Sequence, residues 1–87
     1  MARIRTHPGK IIWYDYCEPR DWSVRQFAEK MSMTPEDAVE IILGERRVDG
    51  ETAARLASLF NTTQGFWLHL QRKYDASKLK AAKRADY

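Results

Sequence analysis

Ser23-Val24-Arg25-Gln26-Phe27-Ala28-Glu29-Lys30-Met31-Ser32-Met33-Thr34-Pro35-Glu36-Asp37-Ala38-Val39-Glu40-Ile41-Ile42-Leu43 is the stretch that decides the fold. Ser23 and Gln26 form the S-x-x-Q pattern of a capping box, which marks a helix start. Val24, Phe27, Ala28 and Met31 then fall at i, i+3, i+4 and i+7, one apolar stripe. Met31-Ser32-Met33 interrupts it. Thr34 opens a second helix as cap, Pro35 suits its first position, and Glu36 and Asp37 favour the positive end of the dipole. Ala38, Ile41 and Ile42 face inward, and Gly44 is a natural stop. Two short helices around a tight turn are the layout of a helix-turn-helix at residues 23–43, whose second helix offers its N-terminal residues to a major groove.

The flanks read as helices too. Pro8 suits a first helical position, Ile11, Ile12 and Tyr16 follow at roughly helical spacing, and Pro19 marks the end. Asp49 caps a fourth helix carrying Ala53, Leu56, Ala57 and Phe60, which Asn61 can end in the left-handed conformation. Thr62 or Thr63 opens a fifth with Phe66, Trp67, Leu70 and Tyr74. Strand alternation is nearly absent, so an all-α bundle of five helices is expected. The expected organisation is one domain over residues 1–75, with 1–6 an N-terminal arm. A basic tail over 76–87 is expected to be partly disordered or a helix extension.

A chain of 87 residues makes one small domain whose core is marginal alone and gains from association. The net charge of +3 is uneven. Residues 1–20 carry four basic and two acidic side chains, residues 21–52 four and eight, and residues 53–87 seven and two. The ends suit a polyanion and the middle opposes it. Apolar runs of only a few residues exclude a membrane span, and the N-terminus lacks the apolar core of a signal peptide. The single cysteine, Cys17, cannot form an intramolecular disulfide, so a cytoplasmic protein is expected. His7 and His69 have no partners at ligand spacing, and the four glycines form no phosphate loop. Neither an enzyme nor a metal or cofactor site is expected.

His7-Pro8-Gly9, Leu43-Gly44-Glu45-Arg46-Arg47-Val48, Thr52-Ala53-Ala54-Arg55-Leu56-Ala57 and Phe66-Trp67-Leu68-His69-Leu70-Gln71 leading to Tyr74-Asp75 occur in this order. Together they resemble the HigA/VapI family of antitoxins, DNA-binding proteins with a lambda-repressor-like fold. The resemblance covers roughly His7 to Asp75 and is most specific at its two ends. It implies a homodimer that represses its own operon by binding double-stranded operator DNA, and that neutralises a small basic ribonuclease toxin of a HigBA-like module.

The sequence departs from that pattern where DNA would be touched. Val24 stands where glutamine is common, Ser32 where the turn favours glycine, and Glu36 and Asp37 where the second helix usually opens polar or basic. A left-handed Ser32 would cost about 1 kcal/mol relative to glycine. Glu36, Asp37, Glu40 and Glu45 line the segment expected to meet a polyanion. Carboxylates there can stabilise the helix start, accept from a cytosine amine, or mark a surface turned over to protein. The candidate DNA contacts are Ser23, Arg25, Gln26, Thr34, Glu36, Asp37, Glu40, Arg46 and Arg47, with Arg3 and Arg5 as a minor-groove arm. The alternative is a protein-binding module whose acidic third helix takes a basic partner. Phe66 and Leu70 are expected in the core, and Trp67, Tyr74 and Tyr14 are the candidates for a dimer seam.

Overall fold

A computed structural model describes residues 6–85, with side chains to residue 80. Helix α1 (Pro8–Ile11) runs straight into a π-helical turn (Ile12–Cys17) and a 3-10 turn (Glu18–Arg20). Then come α2 (Val24–Lys30), α3 (Pro35–Ile42), α4 (Gly50–Phe60) and α5 (Gln64–Ala85). Counting the first helix with its π and 3-10 extensions as one, the bundle has five helices, and no strand occurs among the described residues.

The caps follow from the residue types. His7 Nδ1 accepts from the Gly9 amide at 2.9 Å. Ser23 and Gln26 complete both halves of the capping box. Thr34 accepts from Asp37 N, Asp49 from Thr52 N, and Thr63 from Phe66 N. The Thr52 amide and hydroxyl hold the Asp49 carboxyl below the usual carboxylate range. Asn61 ends α4 in the left-handed conformation, φ 56°.

The π turn was not legible in the sequence. Its i→i+5 repeat places residues five apart on one face, and Ile12 and Cys17 are both fully buried. Trp13 and Tyr16 become half-buried while Tyr14 stays 61% exposed. Burial pushes the Cys17 thiol up to about 11, so it is protonated packing rather than a nucleophile.

The core gathers Ile12, Phe27, Met31, Ala38, Ile41, Val48, Leu56 and Phe60 around Trp67. Ala28 is buried on α2, the helix that pairs with α3. Phe60 lies within 6.4 Å of the rings of Phe27, Trp22, Tyr16 and Trp67. α4 packs on α5, and α1 touches both α3 and α5. The α1–α3 contact needs Gly9: a Cβ there would strike the Ile41 carbonyl and lie 2.8 Å from that of Ile42.

Two expectations for α5 are corrected. Trp67 is completely buried, its indole N–H donating to Thr62 Oγ1 at 2.7 Å, so it has no surface to give a dimer seam. Phe66, expected inside, is 39% exposed, and Leu70 is only half-buried. The inward face runs through Trp67, Gln71 and Tyr74, so a buried polar side chain sets the phase of the helix. α5 also continues past Asp75 to Ala85, about 33 Å of helix at the usual rise.

Candidate nucleic-acid interface

The α2–α3 pair is built by two Schellman closures, in which the amide after the left-handed residue returns to the helix three residues before its cap. After α2, Ser32 N bonds Glu29 O and Met33 N bonds Ala28 O, with Ser32 at φ 57°. After α3, Gly44 N bonds Ile41 O and Glu45 N bonds Glu40 O, with Gly44 at φ 80°. A serine thus takes the strained position that glycine takes in the second closure.

Arg55, on α4, pins the turn. Its guanidinium donates to the Met31 and Ser32 carbonyls at 3.0 and 3.3 Å and pairs with Glu51 at 2.7 Å. A cation there satisfies carbonyls at the negative end of α2. Sequence reasoning missed this residue, because nothing local links positions 31 and 55. Arg55, Ser32, Thr34, Asp37, Arg46 and Thr52 are among the residues lining a polar groove of about 480 Å³ beside α3.

The candidate contacts are placed in different ways. Ser23, Gln26 and Thr34 are exposed, but their side-chain oxygens accept helix-start amides. Arg25 is exposed at the start of α2 and forms no ion pair among the described residues. Arg46 is drawn back over α3, since the second Schellman closure also brings its amide to Glu40 O. Its guanidinium lies 3.0 Å from Asp37 and 3.4 Å from Glu40. Two of the four carboxylates are therefore partly neutralised by the chain itself. Glu36 and Glu45 form no ion pair among the described residues. Arg3 and Arg5 lie outside the described residues.

Arg47 goes elsewhere. It pairs with Asp75 on α5 at 2.7 Å. Asp75 also accepts from Gln71 Nε2, and Gln71 Oε1 accepts from the buried Val48 amide at 2.7 Å. Desolvation pushes the Asp75 carboxyl up, but the hydrogen bonds from Arg47 and Gln71 with the nearby positive charge bring it below its usual range. Tyr74 meets His7 edge-on, ring centroids 4.8 Å apart, and a Cβ on Gly44 would sit 3.3 Å from the His7 ring. Burial lowers the His7 pKa below 6.5, against the Asp75 charge and a hydrogen bond with the Arg46 backbone, which raise it, while Lys78 lowers it further. The H-P-G start and the Q-x-x-Y-D end therefore meet in one seam, which also fixes the loop after α3. Tyr74 is half-buried there, and Tyr14 keeps most of its surface open.

Among the described residues no group of three or more His, Cys, Asp or Glu side chains is arranged to hold a metal ion. No described helix is long and apolar enough to cross a membrane.

The bundle and its α2–turn–α3 pair define a helix-turn-helix protein of the lambda-repressor-like kind. No family model matches the chain. It is 39% identical over 74 residues to an uncharacterized HTH-type transcriptional regulator of Escherichia coli K12, YbaQ; the match covers 85% of this chain and 66% of YbaQ's length. An addiction module antidote protein of the HigA family from Coxiella burnetii is 33% identical, with a TM-score of 0.81 over 91% of this chain and 88% of that one. The Pseudomonas aeruginosa antitoxin HigA, solved with the higBA promoter, is 27% identical with a TM-score of 0.87 over 97% and 92%. The chain belongs to the HigA/VapI family of helix-turn-helix proteins.

Proposed function

We propose that this chain is a cytoplasmic transcriptional repressor and antitoxin of a HigBA-like module, binding operator DNA as a homodimer. One observation carries the reading. The α2–turn–α3 pair is closed and pinned by Arg55, and it sits in a fold that overlays 92% of an antitoxin solved with its promoter. Arg25 supplies an exposed cation at the start of α2 with no ion-pair partner among the described residues, and a polar groove runs beside the start of α3. A dimer places two such helices in half-sites about one DNA turn apart. Tyr14 and the outer part of Tyr74 are the seam residues proposed for it, and a small basic ribonuclease is the proposed protein partner.

Docking of a basic protein on an acidic α3 is the second reading. Exposed Glu36 and Glu45 favour it, while the pairing of Asp37 and Glu40 with Arg46 halves the charge it needs.

The test is a salt titration of binding to the duplex upstream of the chain's own gene against a scrambled duplex. Tighter binding to the upstream duplex, with log Kd rising linearly with log salt, is expected. Weak and equal binding to both at physiological salt would reject the repressor reading.

A further inference from the structure

The outward side of α3 has an unusual chemistry for a surface that meets DNA. Ala38 and Ile41 are buried in the core, and Asp37 and Glu40 turn toward Arg46. What remains outward is Glu36, Val39 and Leu43, at i, i+3 and i+7 on one stripe. Val39 is 38% exposed and Leu43 64%, and Glu36 forms no ion pair among the described residues. This stripe carries no hydrogen-bond donor and no cation. It holds one carboxylate acceptor and two uncovered apolar side chains.

Resting on the DNA-binding reading above, we infer that this stripe specifies the half-site by an acceptor and a methyl contact. Glu36 takes a hydrogen bond from a cytosine N4 amine, and Val39, with Leu43 beyond it, covers thymine C5-methyl groups. The base edges make the choice. Guanine presents N7 and O6, two acceptors that repel a carboxylate, and adenine pairs its N6 donor with the N7 acceptor beside it. Cytosine offers N4–H₂ as a donor, which suits a lone carboxylate. Thymine alone carries a methyl group into the major groove, and an exposed valine gains by covering it. Phosphate attraction then comes from residues off the stripe, Arg25 first.

The experiment is selection from random-sequence duplexes with the full chain, alongside Glu36→Gln and Val39→Ala. The wild type is expected to fix a cytosine flanked by thymine in each half-site. Glutamine can bond adenine N6 and N7 together, so Glu36→Gln should move that one position from cytosine to adenine, by about tenfold in relative affinity. Replacing the thymine by deoxyuracil removes only the methyl. It should weaken the wild type about threefold to tenfold and Val39→Ala by clearly less, since the variant keeps only the alanine methyl and Leu43 against that group. That arm uses wild-type protein, so folding of a variant does not enter. A motif unchanged in Glu36→Gln, or a guanine fixed at that position, overturns the inference and leaves DNA binding standing. Enrichment of no motif by the wild type rejects operator-specific binding itself and points to a protein on this stripe.

Discussion

The seam between the His7 start and α5 and the outer side of α3 are built on opposite terms. In the seam polar groups pair with one another in a chain: Val48 N on Gln71, Gln71 on Asp75, Asp75 on Arg47, and His7 between Gly9 and the Tyr74 ring. On α3, Glu36 has no ion-pair partner among the described residues, Val39 and Leu43 stand in solvent, and Arg46 bridges two acids at the rim. The first region fixes where the loop after α3 lies. The second is the one free to change what it touches. The family resemblance is strongest in the seam and weakest on α3. The residues that reveal kinship here are therefore those that hold the scaffold, and those that would set specificity are the ones that depart.

That contrast predicts a large stability effect in the seam. Gln71→Leu keeps the site filled with an apolar side chain but leaves the buried Val48 amide unpaired, and should cost about 2 kcal/mol. Urea unfolding measures it, and a loss under about 0.5 kcal/mol, the range of an ordinary surface change, would break the contrast.

On α3 the effect is expected in binding rather than folding. Arg46→Ala should weaken operator binding about tenfold, roughly 1.4 kcal/mol, by exposing Asp37 and Glu40 to phosphate. Adding Asp37→Asn and Glu40→Gln should restore most of it. If Arg46 instead contacts a phosphate, the triple variant stays weak and the salt slope falls by about one.

Ser32→Gly sharpens the comparison between the two Schellman closures. It should stabilise the fold by about 1 kcal/mol, since the left-handed backbone suits glycine. A lower thermal midpoint would mean that the serine side chain contributes something its exposure does not suggest.

The smallest effect is a pH dependence from His7. Its folded pKa lies below 6.5, so the unfolded chain takes up the proton first as pH falls. Stability from this group is complete above the unfolded value and declines as pH drops below about 6.5 toward the folded pKa. Protonation also ends acceptance from the Gly9 amide. Thermal melts between pH 7.5 and 5.5 should show the decline, and His7→Asn should flatten it in that window. An equal decline in the variant would assign it to other groups.

The sequence by itself determined where the five helices start and where the second, third and fourth end. Caps, prolines, Gly44 and Asn61 act within a turn of their own position, so local chemistry suffices to place them. It also determined the α2–α3 pair, through a 3.6-residue stripe that any helix with one buried face must show. Tertiary structure decided the rest. The π turn exists because Ile12 and Cys17 must share a face inside the bundle. Trp67 lies inside and Phe66 outside because Gln71, polar by type, is buried against the Val48 amide 23 residues away. Arg55 caps α2 from 24 residues downstream, and Arg46 and Arg47, neighbours in sequence, part to α3 and to α5. The Gln71, Arg55 and Arg47 contacts each depend on a partner more than twenty residues away, and hydrogen bonds and ion pairs of that kind leave no periodic mark in the sequence.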